Sequence, residues 1–270
     1  MTNNLALTVR KCAKPITLVH EPKANKAVVC LHGYTGYPGE LALPAKELFS
    51  AGFDVFVPRY PGHGTNAKDF MSTRRDDWIG EAERVYRKAA DDYEEVALVG
   101  HSMGGAIATI LAERYGIKKM VLYAPALSLP TLPRNLIVFM SLFMKRKKQP
   151  WQRDLRYTFF DERDEDDDAY LGAQYWSWIY PRQLRELALI KDEAVKALAS
   201  LETDTLVFTG GGDETVPQDV GILVIQEGKG NNNWIHLPKA THLIPYDFNE
   251  SSRIEAMEGT VTWLSAQNPL

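Results

Sequence analysis

The sequence predicts an α/β architecture, a mostly parallel central sheet flanked by helices, and three observations lead there. Short β-rich runs alternate with segments of helical spacing. The run Lys26 to Leu31 is continuously apolar rather than alternating, the pattern of a strand covered on both faces. Around Ser102 a strand pattern passes into a helix pattern without an intervening loop.

Taken in order, Leu5 to Val9 and Ile16 to His20 read as an entering hairpin, and Lys26 to Leu31 as the first buried strand. A Gly/Pro-rich loop leads to a helix over about 40–51, and the strand Phe53 to Val57 is stopped by Pro58. Arg74 to Asp92 has helical spacing, with Trp78, Ala82 and Val85 on one side. Glu95 to Val99 is a strand, Met103 to Tyr115 a helix, and Lys119 to Tyr123 a strand ended by Pro125. Thr205 to Thr209 and Trp234 to Leu237 are two further strands, and a last helix covers about 252–266.

Between Ala126 and Ser200 the alternation stops. That stretch holds the apolar run Leu136 to Met144, the basic run Lys145 to Lys148, the acidic run Asp161 to Asp168 and the aromatic patch Tyr175 to Tyr180. It is too long for a plain loop. The expected division is a core domain over 1–125 and 201–270 with a mainly helical cap inserted over 126–200. The apolar run followed by lysines suits a buried cap helix with cations at its C-terminus better than an interfacial lipid contact.

Composition is that of an ordinary soluble globular protein, 45% hydrophobic and 24% charged. A formal net charge of −4 gives no general attraction to nucleic acid or anionic lipid. Cys12 and Cys30 form no disulfide framework or metal-ligand pattern, and Cys30 reads as a buried thiol. Met1 to Asn4 lacks the basic-then-apolar pattern of a signal peptide, and the most apolar segment is only nine residues long, so a cytoplasmic location is the expectation.

Gly100-His101-Ser102-Met103-Gly104 fits G-x-S-x-G between a buried strand and a helix. Such a turn strains the serine backbone and lifts Oγ above the sheet, with glycines two residues either side to avoid collision across the turn. Ser102 is therefore the expected nucleophile. A hydroxyl needs an adjacent base. Of six histidines, His20 and His236 sit in or beside strands, His63 in a tight packed loop, and His101 next to the nucleophile but expected to point elsewhere. His242 lies in the loop between the last strand and the last helix, on the edge where parallel strands end, and is the expected base. Asp213, after Gly210-Gly211-Gly212, emerges on the same edge as the acid, with Glu214 beside it as the alternative. The order Ser102, Asp213, His242 is that of a nucleophile-elbow hydrolase. Two N–H groups should meet the oxyanion, Met103 after the nucleophile and Tyr34 in the loop His32 to Gly36.

His32 to Gly36, Pro58 to Gly64, Asp77-Trp78, Gly100 to Gly104, Asp213 to Pro217 and His242 to Asp247 together resemble bacterial carboxylesterases and monoacylglycerol lipases of the α/β-hydrolase superfamily, over roughly 26–125 and 203–265. The resemblance implies an α/β-hydrolase fold with a small helical cap, no cofactor and no metal. It also implies hydrolysis of small carboxylic esters with an apolar acyl chain through Ser102, Asp213 and His242, with Tyr34 and Met103 as the oxyanion hole. Trp176 and Trp178 in the aromatic patch are candidate pocket residues. Feruloyl or aryl esterase and C–C bond hydrolase activities fit the same triad, because the fold does not fix the substrate. A non-catalytic binding protein would be expected to have lost one of the three residues.

Overall fold

In this computed structural model residues 8–130 and 134–266 are described. Among the described residues seven strands form one sheet in the order β1-β3-β2-β4-β5-β8-β9, with β1 alone of these running antiparallel. These are β1 (Ile16–Leu18), β2 (Lys26–Leu31), β3 (Asp54–Val57), β4 (Glu95–His101), β5 (Lys119–Tyr123), β8 (Asp204–Gly210) and β9 (Asn232–Leu237). Two-residue strands β6 (Lys147–Lys148) and β7 (Trp178–Ile179) pair separately as an antiparallel ribbon. The helices are α1 (Ala42–Ser50), α2 (Ala67–Ser72), α3 (Arg75–Asp92), α4 (Met103–Tyr115) and α5 (Arg134–Phe143), followed by α6 (Glu165–Leu171), α7 (Pro181–Leu198), α8 (Val220–Glu227) and α9 (Glu250–Ser265).

The continuous apolar character of β2 has the expected cause. Val29 and Leu31 face a core shared with Trp78 of α3, Ile107 and Leu111 of α4 and Val224 of α8. Val28 and Cys30 face the opposite core with Leu48 of α1 and Leu264 of α9. Successive side chains point to opposite faces, so a strand sandwiched between helices has no polar side to show. Cys12 and Cys30 are buried free thiols. Local signals fix the helix ends: Asn66, Asp164 and Asn249 accept from the N–H groups of Asp69, Asp167 and Ser252 at the starts of α2, α6 and α9. Gly116 closes α4 at φ 61°.

Ile16–Leu18 pairs with β3; of its expected hairpin partner Leu5 to Val9, Leu5 to Leu7 lie outside the described residues, and Lys11–Ala13 is a 3-10 turn. The acidic run holds buried members. Asp167 is fully buried and accepts from Arg10 Nε at 2.7 Å and Cys12 N at 3.0 Å, and buried Asp168 takes two bonds from Arg163, at 2.7 and 2.9 Å. The expectation of a buried cap helix is revised at α5. Ile137 faces inward, while Leu136, Phe139, Leu142 and Phe143 are 53%, 62%, 68% and 73% exposed. Period alone showed an apolar stripe on α5 without showing whether a neighbour covers it. Among the described residues no helix is long and apolar enough to cross a membrane.

A close contact between elements lies where α4 begins. A Cβ on Gly104 would lie 2.0 Å from the carbonyl oxygen of Leu31, at the end of the central strand. Gly104→Ala is expected to destabilise the protein by about 3 kcal/mol, the upper end of ordinary overpacking, because the obstacle is backbone. Urea denaturation measures it, and an unchanged midpoint would contradict this packing.

Candidate active site

The strand-to-helix turn holds Ser102 at φ 53°, ψ −116°, a conformation that costs a non-glycine residue energy and persists only when its surroundings impose it. Here they do. Ser102 N donates to the Tyr123 carbonyl at 3.0 Å, and the Ser102 carbonyl accepts from Gly105, Ala106 and Ala126 at 2.9–3.2 Å. The flanking glycines serve different contacts. A Cβ on Gly100 would lie 2.5 Å from the Gly104 carbonyl oxygen, across the turn as expected; Gly104 instead clears the end of β2. The Met103 N–H is the first of α4 and has no intrahelical acceptor.

The glycine triplet after β8 has an equally specific cause. A Cβ on Gly210 would lie 2.5 Å from the Thr241 carbonyl oxygen, and one on Gly211 2.4 Å from that of Pro238. Gly211 N and Gly212 N donate to Leu237 and Ala240, both at 2.9 Å. The loops after β8 and β9 therefore run backbone against backbone, which brings Asp213 to His242: Nδ1 to Oδ2 is 2.8 Å. The other carboxylate oxygen, Oδ1, accepts from Thr215 N at 2.7 Å and Val216 N at 2.9 Å. Asp213 is 1% exposed at its side chain. Burial alone would raise its carboxyl pKa; the hydrogen bond and charge of His242, with the two backbone N–H groups, outweigh burial and hold it below the usual carboxylate range. Glu214 takes no part in this pairing.

Ser102, His242, Gly33 and Tyr34 line one cavity of about 700 Å³. Ser102 makes no hydrogen bond to His242 here, a distance that commonly closes only when substrate binds. Residues from between β5 and β8 line much of the rest, including Trp151, Trp176 and Trp178 and the polar Gln149, Arg153 and Arg163. Trp176 also donates from its indole N–H to the Thr35 carbonyl at 3.3 Å, so it touches the loop that carries Tyr34. Trp178 instead donates to Ala173 and lies under the Arg146 guanidinium, 4.0 Å from its ring centroid.

The remaining histidines behave as the sequence suggests, with one exception. His20 pairs with buried Asp54 at 2.7 Å, His63 is packed among Tyr60, Phe70 and Trp78, and His236 lies 3.2 Å from Thr209 Oγ1. His101 was expected to point away from the site. It lines the cavity, its ring centroid 5.0 Å from that of His242 and its Nε2 2.9 Å from the His242 carbonyl oxygen. Glu40, Asp247 and Tyr157 were not anticipated. Asp247 is buried and accepts from Thr241 N and Oγ1 at 2.6 and 2.7 Å, and Tyr157 OH meets the same Oγ1 at 2.6 Å, which anchors the residue before His242. An acidic residue five positions after the base was the one available signal.

The chain belongs to the family described as serine aminopeptidase, S33, whose model matches residues 22–249, and it is an enzyme of the α/β-hydrolase fold. A thermostable monoacylglycerol lipase of Bacillus sp. (strain H-257) is 34% identical over 230 residues, 84% of this chain and 87% of that one. A 2-hydroxy-6-oxononadienedioate/2-hydroxy-6-oxononatrienedioate hydrolase of Cupriavidus pinatubonensis is 27% identical over 74% of this chain and 75% of its own. Among solved structures, a metagenome-derived lipolytic enzyme of the LipS and LipT pair aligns with a TM-score of 0.80 at 18% identity, over 94% of this chain and 99% of that one.

The lowered Asp213 carboxyl carries a sign that can be checked. A carboxyl depressed in the folded state stabilises fully above the unfolded value of about 3.9, and that contribution disappears as pH falls through the folded value. Asp213→Asn keeps the shape and an acceptor for Thr215 and Val216 but loses the charge. The stability difference between wild type and variant should be constant above about pH 5 and shrink below about pH 4, read from urea midpoints across pH. Turnover of the variant should fall by about 10⁴-fold.

Proposed function

We propose that this enzyme hydrolyses carboxylic esters through an acyl-enzyme on Ser102, with His242 as base, Asp213 as its orienting acid, and the N–H groups of Tyr34 and Met103 as oxyanion hole. The observation that carries the reading is the His242–Asp213 bond. With Nδ1–H donated to the carboxylate, the proton-accepting Nε2 is left for the serine that shares the cavity. Ser102 Oγ attacks the ester carbonyl as its proton passes to His242 Nε2. The tetrahedral oxyanion is met by the two backbone donors, and collapse expels the alcohol with the proton from His242. Water then attacks the acyl-enzyme, giving a proton to His242, and the acid leaves as Ser102 regains its hydrogen.

The substrate class rests on the likeness to the Bacillus monoacylglycerol lipase and on the mixed lining of the cavity. Three tryptophans suit an acyl chain, at about 0.8 kcal/mol per buried CH₂, and Gln149, Arg153 and Arg163 suit a polar alcohol such as glycerol. The reading extends to the organisation of the chain, with residues 126–200 as a cap over the core. A second reading, C–C bond hydrolysis of a carboxylated dienone, draws on the same two arginines and on the Cupriavidus relative. Comparing monoacylglycerols and p-nitrophenyl esters with a dienone acid and feruloyl esters separates the two.

Two outcomes are expected. A fluorophosphonate should label Ser102, and Ser102→Ala should lose about 10⁴- to 10⁶-fold in turnover while remaining folded; labelling at another serine would refute the assignment. Trp178→Ala should shift the preferred acyl length and leave acetate turnover nearly unchanged. Trp176→Ala should also slow acetate, because it loses the bond to Thr35 as well as a pocket wall. Both effects are read from kcat/KM across a chain-length series.

A further inference from the structure

Glu40 is buried beneath the loop that carries Tyr34, and its carboxylate lies against that loop's backbone. Gly33 N donates to Oε2 at 3.2 Å, and a Cβ on Gly36 would lie 2.4 Å from Oε1, so the carboxylate occupies the space that glycine leaves open. Among the described residues, His101 is the basic side chain within ion-pair distance of Glu40, Nδ1 to Oε2 being 3.5 Å with both side chains buried. Arg163, on the same cavity, is committed to Asp168 by two hydrogen bonds. The nearby phenols of Tyr60 and Tyr246 are held neutral, first by burial and then by the Glu40 charge, and supply no counter-charge.

One ring hydrogen of His101 follows from its neighbour. The His242 carbonyl can only accept, so His101 Nε2, 2.9 Å away, carries hydrogen. On the other side of the ring Nδ1 faces a carboxylate oxygen. Their 3.5 Å separation is an ion-pair distance rather than a hydrogen bond, since Nδ1 has no hydrogen-bond partner. The chain of contacts runs Gly33 N–H, Glu40, His101, His242 carbonyl.

We propose that Glu40 and His101 form a second carboxylate–imidazole pair that positions, rather than performs, the chemistry. It ties the loop bearing the Tyr34 N–H to the loop bearing His242, with the nucleophile between them. Gly33 marks the junction: a Cβ there would sit 3.4 Å from His101 Nδ1, 3.5 Å from Ser102 Cβ and 3.6 Å from Glu40 Oε2. The proposal rests on the hydrolase reading above and adds two residues to it.

Glu40→Gln tests the pair atom by atom. The atom at Oε2 accepts from the Gly33 N–H and faces His101 Nδ1; an amide oxygen there removes the negative charge that faces the imidazole, and an amide nitrogen opposes the Gly33 N–H. Glu40→Gln, His101→Phe and the double variant are compared with wild type by kcat and KM on p-nitrophenyl butyrate and by the rate of fluorophosphonate labelling. Each single change should lower kcat and the labelling rate by about 10- to 100-fold, the cost of small misplacement, with KM within about twofold. The double variant should lose no more than the worse single one. His101→Gln, whose amide N–H can reach the His242 carbonyl, should recover part of what His101→Phe loses. Multiplying losses, or a raised KM with unchanged kcat and labelling, overturns the pair. If Glu40→Gln does not fold, the two His101 variants decide, and a His101→Phe enzyme with wild-type kcat overturns it. A wild type that is neither labelled at Ser102 nor active on esters overturns the hydrolase reading, and the pair with it; labelled, active enzyme with unaffected variants overturns the pair alone.

Discussion

The site depends on how closely two backbones approach where α4 meets the end of β2. With no Cβ at Gly104, the first turn of the helix rests on the Leu31 carbonyl, and Ser102 is held between the loop leaving β2 and the loops leaving β8 and β9. The strained serine is stabilised from several directions at once, through Tyr123, Gly105, Ala106 and Ala126. Rigidity of this kind lets an uncharged hydroxyl be presented at a fixed point without a loop to order on binding. A wider gap at Gly104 would move Ser102 relative to Tyr34 and His242.

Around that point the protein distributes its buried charge in pairs. Asp213 meets His242, Asp168 meets Arg163, Asp167 meets Arg10, and Asp54 meets His20. Each carboxylate lies where an unpaired charge would be costly; Asp168 and Arg163 are five positions apart, while the other three pairs join more distant segments, most widely Arg10 with Asp167. Buried carboxylates here link the N-terminal arm, the sheet and the segment between β5 and β8.

What the sequence made legible was local or ordered along the chain. Strand-turn-helix around Ser102, the glycine triplet before Asp213 and the loop position of His242 are features of consecutive residues, and the parallel sheet places all three on one edge. What it left hidden depended on partners far away. His101 adjoins Ser102, yet its contacts are set by Glu40, 61 positions earlier, and by the His242 carbonyl, 141 positions later. The pairing of Ile16–Leu18 with β3 is likewise a tertiary choice. The exposure of α5 is the plainest case, because an apolar face announces a need for cover without naming what provides it.

The indole of Trp176 has a consequence beyond its place in the pocket wall. Its N–H ends on the Thr35 carbonyl, so a displacement of the β5–β8 segment large enough to carry Trp176 away also unfastens the turn that presents Tyr34. Under the proposed ester hydrolysis, passage of substrate beside Trp176 and the setting of the Tyr34 N–H are coupled through this one hydrogen bond.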